Sequence, residues 1–165
     1  MNENHVTQYL KGCSSVLDLC AGTGRWLKNW KGLKLAVELN PEYNKQLSNA
    51  GYNYIFNTDV TKYTFSKNDA VIWIEGIEHI EEEDAIKVLK EAEDTSNKVI
   101  LVFTPNNFNS NEENENRLNE PLQIHKSCFP EEFWTNRGYE EVYRERVDSN
   151  TDNILYLKRF KNEER

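Results

Sequence analysis

The sequence is poor in positive charge. Lysine and arginine number 20 against 28 aspartates and glutamates in 165 residues, a formal net charge of −8. Proteins that grip nucleic acid present basic surfaces, because phosphate contacts supply much of the affinity. Nucleic acid is therefore not an expected partner. Cysteine is scarce as well: Cys13, Cys20 and Cys128 are odd in number, far apart, and form no CxxC pair. That argues against a disulfide framework or a cysteine-based zinc site and for reduced thiols in a cytoplasmic protein. No stretch approaches the roughly 18 apolar residues of a membrane span. The opening Met1-Asn2-Glu3-Asn4-His5 lacks the basic region and apolar stretch of a signal peptide.

What is present suffices for a core. Hydrophobic residues make up 38% and aromatic residues 12%, and the length suits one domain over 1–165. Ser15–Leu19 is a short apolar run, followed by the glycine turn Cys20-Ala21-Gly22-Thr23-Gly24. The spacing of Trp26, Leu27 and Trp30 predicts one face of a helix over Arg25–Trp30. A second strand is expected at Lys34–Leu39. Asn40-Pro41 then reads as an N-cap and N1 proline for a helix to about Ala50, stopped by Gly51. Further strands are expected at Asn53–Asn57, Asp69–Glu75 and Lys98–Phe103. A helix at Glu82–Glu93 separates the last two, with Ile86, Leu89 and Ala92 inward. Continuously apolar strands alternating with helices specify a parallel sheet covered on both faces, and right-handed crossovers make it doubly wound. Asn106–Glu120 reads as an exposed, flexible loop. A short helix follows at Pro130–Asn136, then Tyr139–Val147 and Ile154–Phe160 joined by a short polar turn. The expected fold is thus α/β, Rossmann-like, with a mostly parallel sheet ending in an antiparallel hairpin.

In such sheets ligands bind beyond the carboxyl ends of the strands. Gly22 and Gly24 let the backbone turn tightly and approach a ligand, with the next helix aiming its N–H groups there. Taken alone, this is also compatible with any strand-to-helix turn. Glu38, about 20 residues past the start of that turn, is placed to accept two ribose hydroxyls or to face solvent at a strand end. Asp59 is placed to receive an adenine amino group or to cap the turn at Thr61-Lys62. Three acceptors at three successive strand ends are more informative together than singly.

At this point the chain resembles the class I S-adenosylmethionine-dependent methyltransferases. Val16–Arg25 is similar to their first motif, with Cys20 standing where the usual loop has its first glycine. Glu38 and Thr58-Asp59-Val60 fall at their ribose and adenine positions. Glu75-Gly76-Ile77-Glu78-His79-Ile80, Phe103-Thr104-Pro105-Asn106 and Gln123-Ile124-His125-Lys126-Ser127 resemble stretches of a small bacterial subgroup. The resemblance implies a seven-stranded sheet with strand seven antiparallel and S-adenosylmethionine as cofactor. It places cofactor contacts at Asp18, Cys20, Ala21, Gly22, Gly24, Glu38, Leu39, Asp59, Val60, Glu75 and Ile77. It also implies a small-molecule or sugar-type acceptor, methylated at oxygen. The stretch before motif one is too short for the usual covering helices, so Asn106–Glu120 is the expected lid.

A hydroxyl acceptor needs a base, and His79 and His125 are the candidates, with Glu78 beside them. The alternatives are a helix-capping or cofactor-packing role for His79 and a structural hydrogen bond from His125. Glu78 could hold a divalent ion with Glu75 or His79, but plain positioning is the reading taken and no metal ligand is assigned. Glu81-Glu82-Glu83-Asp84 reads as a helix N-terminus whose acids offset the macrodipole. Two rivals remain. A nicotinamide-dependent oxidoreductase would want a third glycine where Leu27 stands. A cofactor-binding protein without catalysis would bind the adenosyl ligand yet modify nothing.

Overall fold

In the computed structural model, residues 1–107 and 121–160 are described. Strands β1 (Ser15–Leu19), β2 (Leu33–Val37), β3 (Tyr54–Phe56), β4 (Asn68–Ile74), β5 (Ser96–Pro105), β6 (Glu140–Arg146) and β7 (Asp152–Arg159) form one sheet. Its order is β3-β2-β1-β4-β5-β7-β6. The first five strands run parallel, and β7 lies antiparallel between β5 and β6. The chain steps outward from β1 to β3 and then returns to place β4 on the other side of β1. That reversal opens a crevice between the carboxyl ends of β1 and β4.

Alternate residues of each buried strand feed two cores. One face gathers Leu17, Leu19, Val71, Trp73, Ile100 and Val102 under helix α3 (Glu82–Thr95) and helix α4 (Glu131–Asn136). The other gathers Val16, Ala36, Ala70, Ile72, Leu101 and Phe103 under Leu10, Trp26, Leu27, Leu47 and Tyr52. This is why the strands read as unbroken apolar runs. Helix α3 buries Ala85, Val88, Leu89 and Ala92. Its inner stripe is therefore turned from the expected one, leaving Ile86 only partly buried at its margin. Glu82, Glu83 and Asp84 occupy its first turn as expected.

The helix expected after β1 is a single 3-10 turn, Arg25–Leu27. Gly24 enters it at φ 73°, and β2 begins at Leu33, so too little chain remains for a longer helix. The glycine loop is accordingly followed by one tight turn rather than a helix with a full dipole. The next helix has the expected bounds: Asn40 caps it, a 3-10 turn at Pro41–Tyr43 runs directly into helix α2 (Asn44–Asn49), and Gly51 follows at φ 79°. Lys34 ties the two connections together. Its buried Nζ donates to Leu27 O at 3.0 Å and Ala50 O at 2.5 Å.

Helix α1 (Glu3–Thr7) lies beside the loop that leads into the amino end of β2. Asn29 N and Nδ2 donate to the Glu3 carboxylate at 2.6 and 2.7 Å. The β6–β7 turn is held by Asp148 Oδ1, which accepts from Asn150 N and Thr151 N. The expected lid falls almost wholly on residues 108–120, outside the described residues. No helix among the described residues is long and apolar enough to cross a membrane.

Candidate functional site

The loop after β1 is built on two unusual backbone conformations. Cys20 adopts φ 57° and Gly22 φ 53°, both in the left-handed region that glycine favours. A side chain at Gly22 would meet nothing within 4 Å, so the loop borders open space. At Gly24, by contrast, a Cβ would stand 2.6 Å from the Tyr52 ring, and glycine is what lets the loop sit on that ring.

Glu38 organises the loop. It is 8% exposed, and its two oxygens accept from Gly22 N and Asn40 N, each at 2.8 Å. One carboxylate thereby joins the loops after β1 and β2. Leu39 beside it is exposed. Asp59 spends Oδ1 on the turn Val60–Lys62, accepting from Thr61 N at 2.9 Å and Thr61 Oγ1 at 2.8 Å. Val60 is buried under this turn. The capping alternative for Asp59 is therefore realised.

Asp18 points to the opposite side of β1 from its neighbours Leu17 and Leu19. It is 1% exposed and accepts a hydrogen bond from the Tyr52 hydroxyl. Loss of water pushes its carboxyl up to about 7; the Tyr52 hydrogen bond opposes this and repulsion from Glu38 adds to it. Asp18 is thus a buried strut beneath the loop. The Cys20 thiol is pushed up to about 12, chiefly by burial, with the adjacent Trp73 indole acting in the opposite sense. It stays a neutral thiol and is no nucleophile.

The mouth of β4 is equally constrained. Glu75 takes φ 54° and pairs with Arg25 across the crevice. At Gly76 a Cβ would lie 2.7 Å from Cys20 Cβ and 2.9 Å from Trp73 Nε1. Only glycine lets the two strand ends come this near. Residues 77–79 then form a 3-10 turn that buries Ile77 and Glu78. The stretch at 124–127 is zipped onto this turn. Lys126 N and Ser127 N donate to Glu78 O at 2.7 and 3.1 Å, Ser127 Oγ donates to Ile77 O at 3.1 Å, and His79 Nδ1 lies 3.2 Å from Ile124 O.

That zipper sets the His79 and His125 rings 5.0 Å apart, at 59°. Glu78 is 3% exposed, and its Oε2 has no hydrogen-bond partner. Burial pushes this carboxyl up to about 8, with backbone amides opposing and Glu75 repulsion adding. The Thr104 side chain stands near it, outside hydrogen-bond geometry. So the structure brings Glu75, Ile77, Glu78, His79 and His125 together at β4 and Cys20, Ala21, Gly22, Gly24 and Glu38 together at β1 and β2. Asp59 and Val60 stand at the third strand end. Sequence reasoning missed Tyr52 and Lys34 and gave no role to Gly76 or Ser127, although both lie in stretches it singled out. Gly76 carried a legible signal, as a glycine amid bulky residues at a strand end. The others are defined by partners distant in sequence. A shallow groove of about 930 Å³ beside Glu3, Gly12, Trp30 and Gly32 lies at the amino ends of the strands, away from all these residues.

No protein-family model and no curated protein matches the sequence. Solved structures do match. An S-adenosylmethionine-dependent methyltransferase from Clostridium acetobutylicum superposes with a TM-score of 0.67 at 13% identity, over 94% of this chain and 89% of that one. TehB from Haemophilus influenzae gives 0.71 at 15% identity, over 98% of this chain but 63% of its own. The magnesium protoporphyrin IX methyltransferase from Synechocystis gives 0.61 at 12% identity, over 86% and 72%. The fold is that of these methyltransferases. The seven strands and the antiparallel β7 expected from the resemblance are both present. This chain is shorter than these three neighbours, spanning less than two thirds of TehB.

Proposed function

We propose that this protein is an S-adenosylmethionine-dependent methyltransferase that methylates a hydroxyl of a small-molecule or sugar-type acceptor. The observation that carries this is the Glu38 carboxylate, locked to the Gly22 amide at the crevice of a methyltransferase fold. Similar folds have been solved with the adenosyl ligand: the Synechocystis enzyme with S-adenosylhomocysteine, and DhpI, 17% identical, with S-adenosylmethionine. The residues fit such a ligand. Gly22 leaves open space at the loop, and each Glu38 oxygen retains a lone pair beyond its amide contact, suited to ribose hydroxyls. Asp59 and Val60, at the third strand end, would face adenine, and exposed Leu39 would offer an apolar surface to the ribose. Cys20, Ala21 and Gly24 shape the loop, Asp18 supports it from below, and Glu75 and Ile77 border the crevice from β4.

When bound, the sulfonium would supply an activated methyl carbon, leaving little covalent work for the protein. Transfer to an acceptor oxygen would leave the donor as a neutral thioether, so the task of this chain's residues is to hold that oxygen in line and take its proton. The hydroxyl proton passes to a neutral imidazole of His79 or His125. A carbonyl can only accept, so Ile124 O fixes the proton of a neutral His79 on Nδ1 and leaves the lone pair on Nε2. The Glu78 side chain packs beside both rings and helps position them.

Isothermal titration with S-adenosylmethionine, S-adenosylhomocysteine and NAD tests the reading. Binding of both adenosyl ligands in the micromolar range, without NAD, is expected. Glu38→Ala should weaken it by about 1–3 kcal/mol through lost hydrogen bonds. Silence from both adenosyl ligands, or an unchanged affinity in Glu38→Ala, would overturn the cofactor assignment. Binding with no methylation of any acceptor would point to the non-catalytic alternative.

A further inference from the structure

We infer that Glu78, His79 and His125 form a binding site for a divalent transition-metal ion at the mouth of β4. Among the described residues, one ring nitrogen of each histidine and one carboxylate oxygen of Glu78 lie within 4.8 Å of one another. Ligand atoms around an octahedral ion at ~2.1 Å stand about 3 Å apart, so modest side-chain rotation closes the set. The second, independent observation is Glu78 Oε2. It is buried without a hydrogen-bond partner, in a residue 3% exposed. Buried polar atoms are almost always satisfied, and one that is not calls for an explanation such as an ion. The charge set against this carboxyl is Glu75, of the same sign, so a cation would relieve both desolvation and repulsion.

The scaffold around the three residues suits ligation. A metal-binding histidine typically donates its other ring N–H to a carbonyl or carboxylate, which fixes ring orientation and tautomer. Ile124 O does this for His79 Nδ1 at 3.2 Å. His125 is delivered by the hydrogen bonds that fasten Lys126 and Ser127 to Glu78 O, so two ligands and their support belong to one zipped unit. Two imidazoles and one carboxylate favour manganese, iron, cobalt or zinc over magnesium, which prefers oxygen alone. Three protein ligands leave coordination positions open for an acceptor oxygen, whose proton a bound cation would acidify; with the ion bound, both imidazoles are ligands and that proton leaves to solvent instead of to them. That role rests on the methyl-transfer reading; ion binding itself does not.

The test uses the full chain after dialysis against chelator. Cobalt(II) is titrated at neutral pH, read by its visible absorption bands and by calorimetry, with S-adenosylhomocysteine titrated separately. One cobalt per chain is expected, with affinity falling at least tenfold in Glu78→Gln and in His125→Ala. Near-UV circular dichroism checks that each variant is folded, and if Glu78→Gln is not, His125→Ala decides. No cobalt bands up to about 1 mM metal, or affinity unchanged in the folded variants, would overturn the site. Cobalt binding without the adenosyl ligand would sink the methyl-transfer reading and leave the ion site standing. The reverse result would do the opposite.

Discussion

Asp18→Asn should abolish a pH dependence of stability that the buried strut imposes. In the folded chain the Asp18 carboxyl titrates at about 7, because it is removed from water and faces Glu38. In the unfolded chain it titrates near ~3.9. The native state therefore holds the proton more tightly, and its advantage is fully present below about pH 4. It is lost as pH rises towards 7, and little changes above that. Three pKa units correspond to about 4 kcal/mol. An asparagine does not titrate, and its Oδ1 can still accept from the Tyr52 hydroxyl. Urea unfolding of the two proteins side by side, from about pH 4.5 to 8.5, gives the difference in stability directly. The variant should gain on the wild type by several kcal/mol across that range. A flat difference would mean that Asp18 does not titrate there. A difference of opposite slope would mean that Asp18 is ionised and held by its hydrogen bonds, which would refute the desolvation argument.

Three further substitutions or treatments probe the same scaffold. Gly76→Ala forces a Cβ to 2.7 Å from Cys20 Cβ, so a loss of about 1–3 kcal/mol in thermal or urea unfolding is expected, with weakened S-adenosylhomocysteine binding. An unaltered melting temperature would show that the strand ends can part freely. Lys34→Met keeps the aliphatic stem but leaves Leu27 O and Ala50 O without their donor, at a cost of about 1–3 kcal/mol. A neutral result would show that water replaces the ammonium there. Brief iodoacetamide treatment of the folded protein, read by mass spectrometry, should leave Cys20 the least modified thiol, since its pKa of about 12 keeps it protonated. Preferential labelling of Cys20 would place the thiol in water and overturn its assigned burial.

Which parts were legible follows from the range of the forces involved. The central strands β1, β4 and β5 were readable because they are buried on both faces, so nearly every position from Val16 to Leu19 or Val99 to Phe103 had to be apolar, whereas the edge strands β3 and β6 are not. The doubly wound parallel arrangement followed from chain-wide rules of handedness, and the terminal hairpin from the polar turn at 148–153. Asn40-Pro41 and Gly51 marked both ends of the helix after β2 locally, whereas the helix after β1 was misjudged in length, because its end is decided by how soon β2 must begin. The partial burial of Ile86 has a similar source. Sequence gives the period of α3, but the direction of its inner face depends on Trp134 and the sheet beneath it.

The candidate site shows the same division, and it explains why single residues misled while ordered sets did not. Glu38 could be singled out because a strand-end acid at that spacing has few structural duties beyond ligand or loop, and the loop duty is the one its hydrogen bonds fill. Asp59 was ambiguous because its local duty, capping Thr61, is satisfied by the very pattern that suggested a ligand. Glu78 is the instructive case. Glu-His after a strand reads as exposed polar residues, and nothing local indicates that Glu78 is buried. Its burial arises from residues some fifty positions later, because Lys126 and Ser127 clamp onto its carbonyl and bring His125 over the turn. A carboxylate buried by a remote clamp, with an oxygen left unpartnered, is a feature that only the folded chain displays. It is also what turns three polar residues into a site with a chemical preference, since a solvated glutamate there would need no counter-ion.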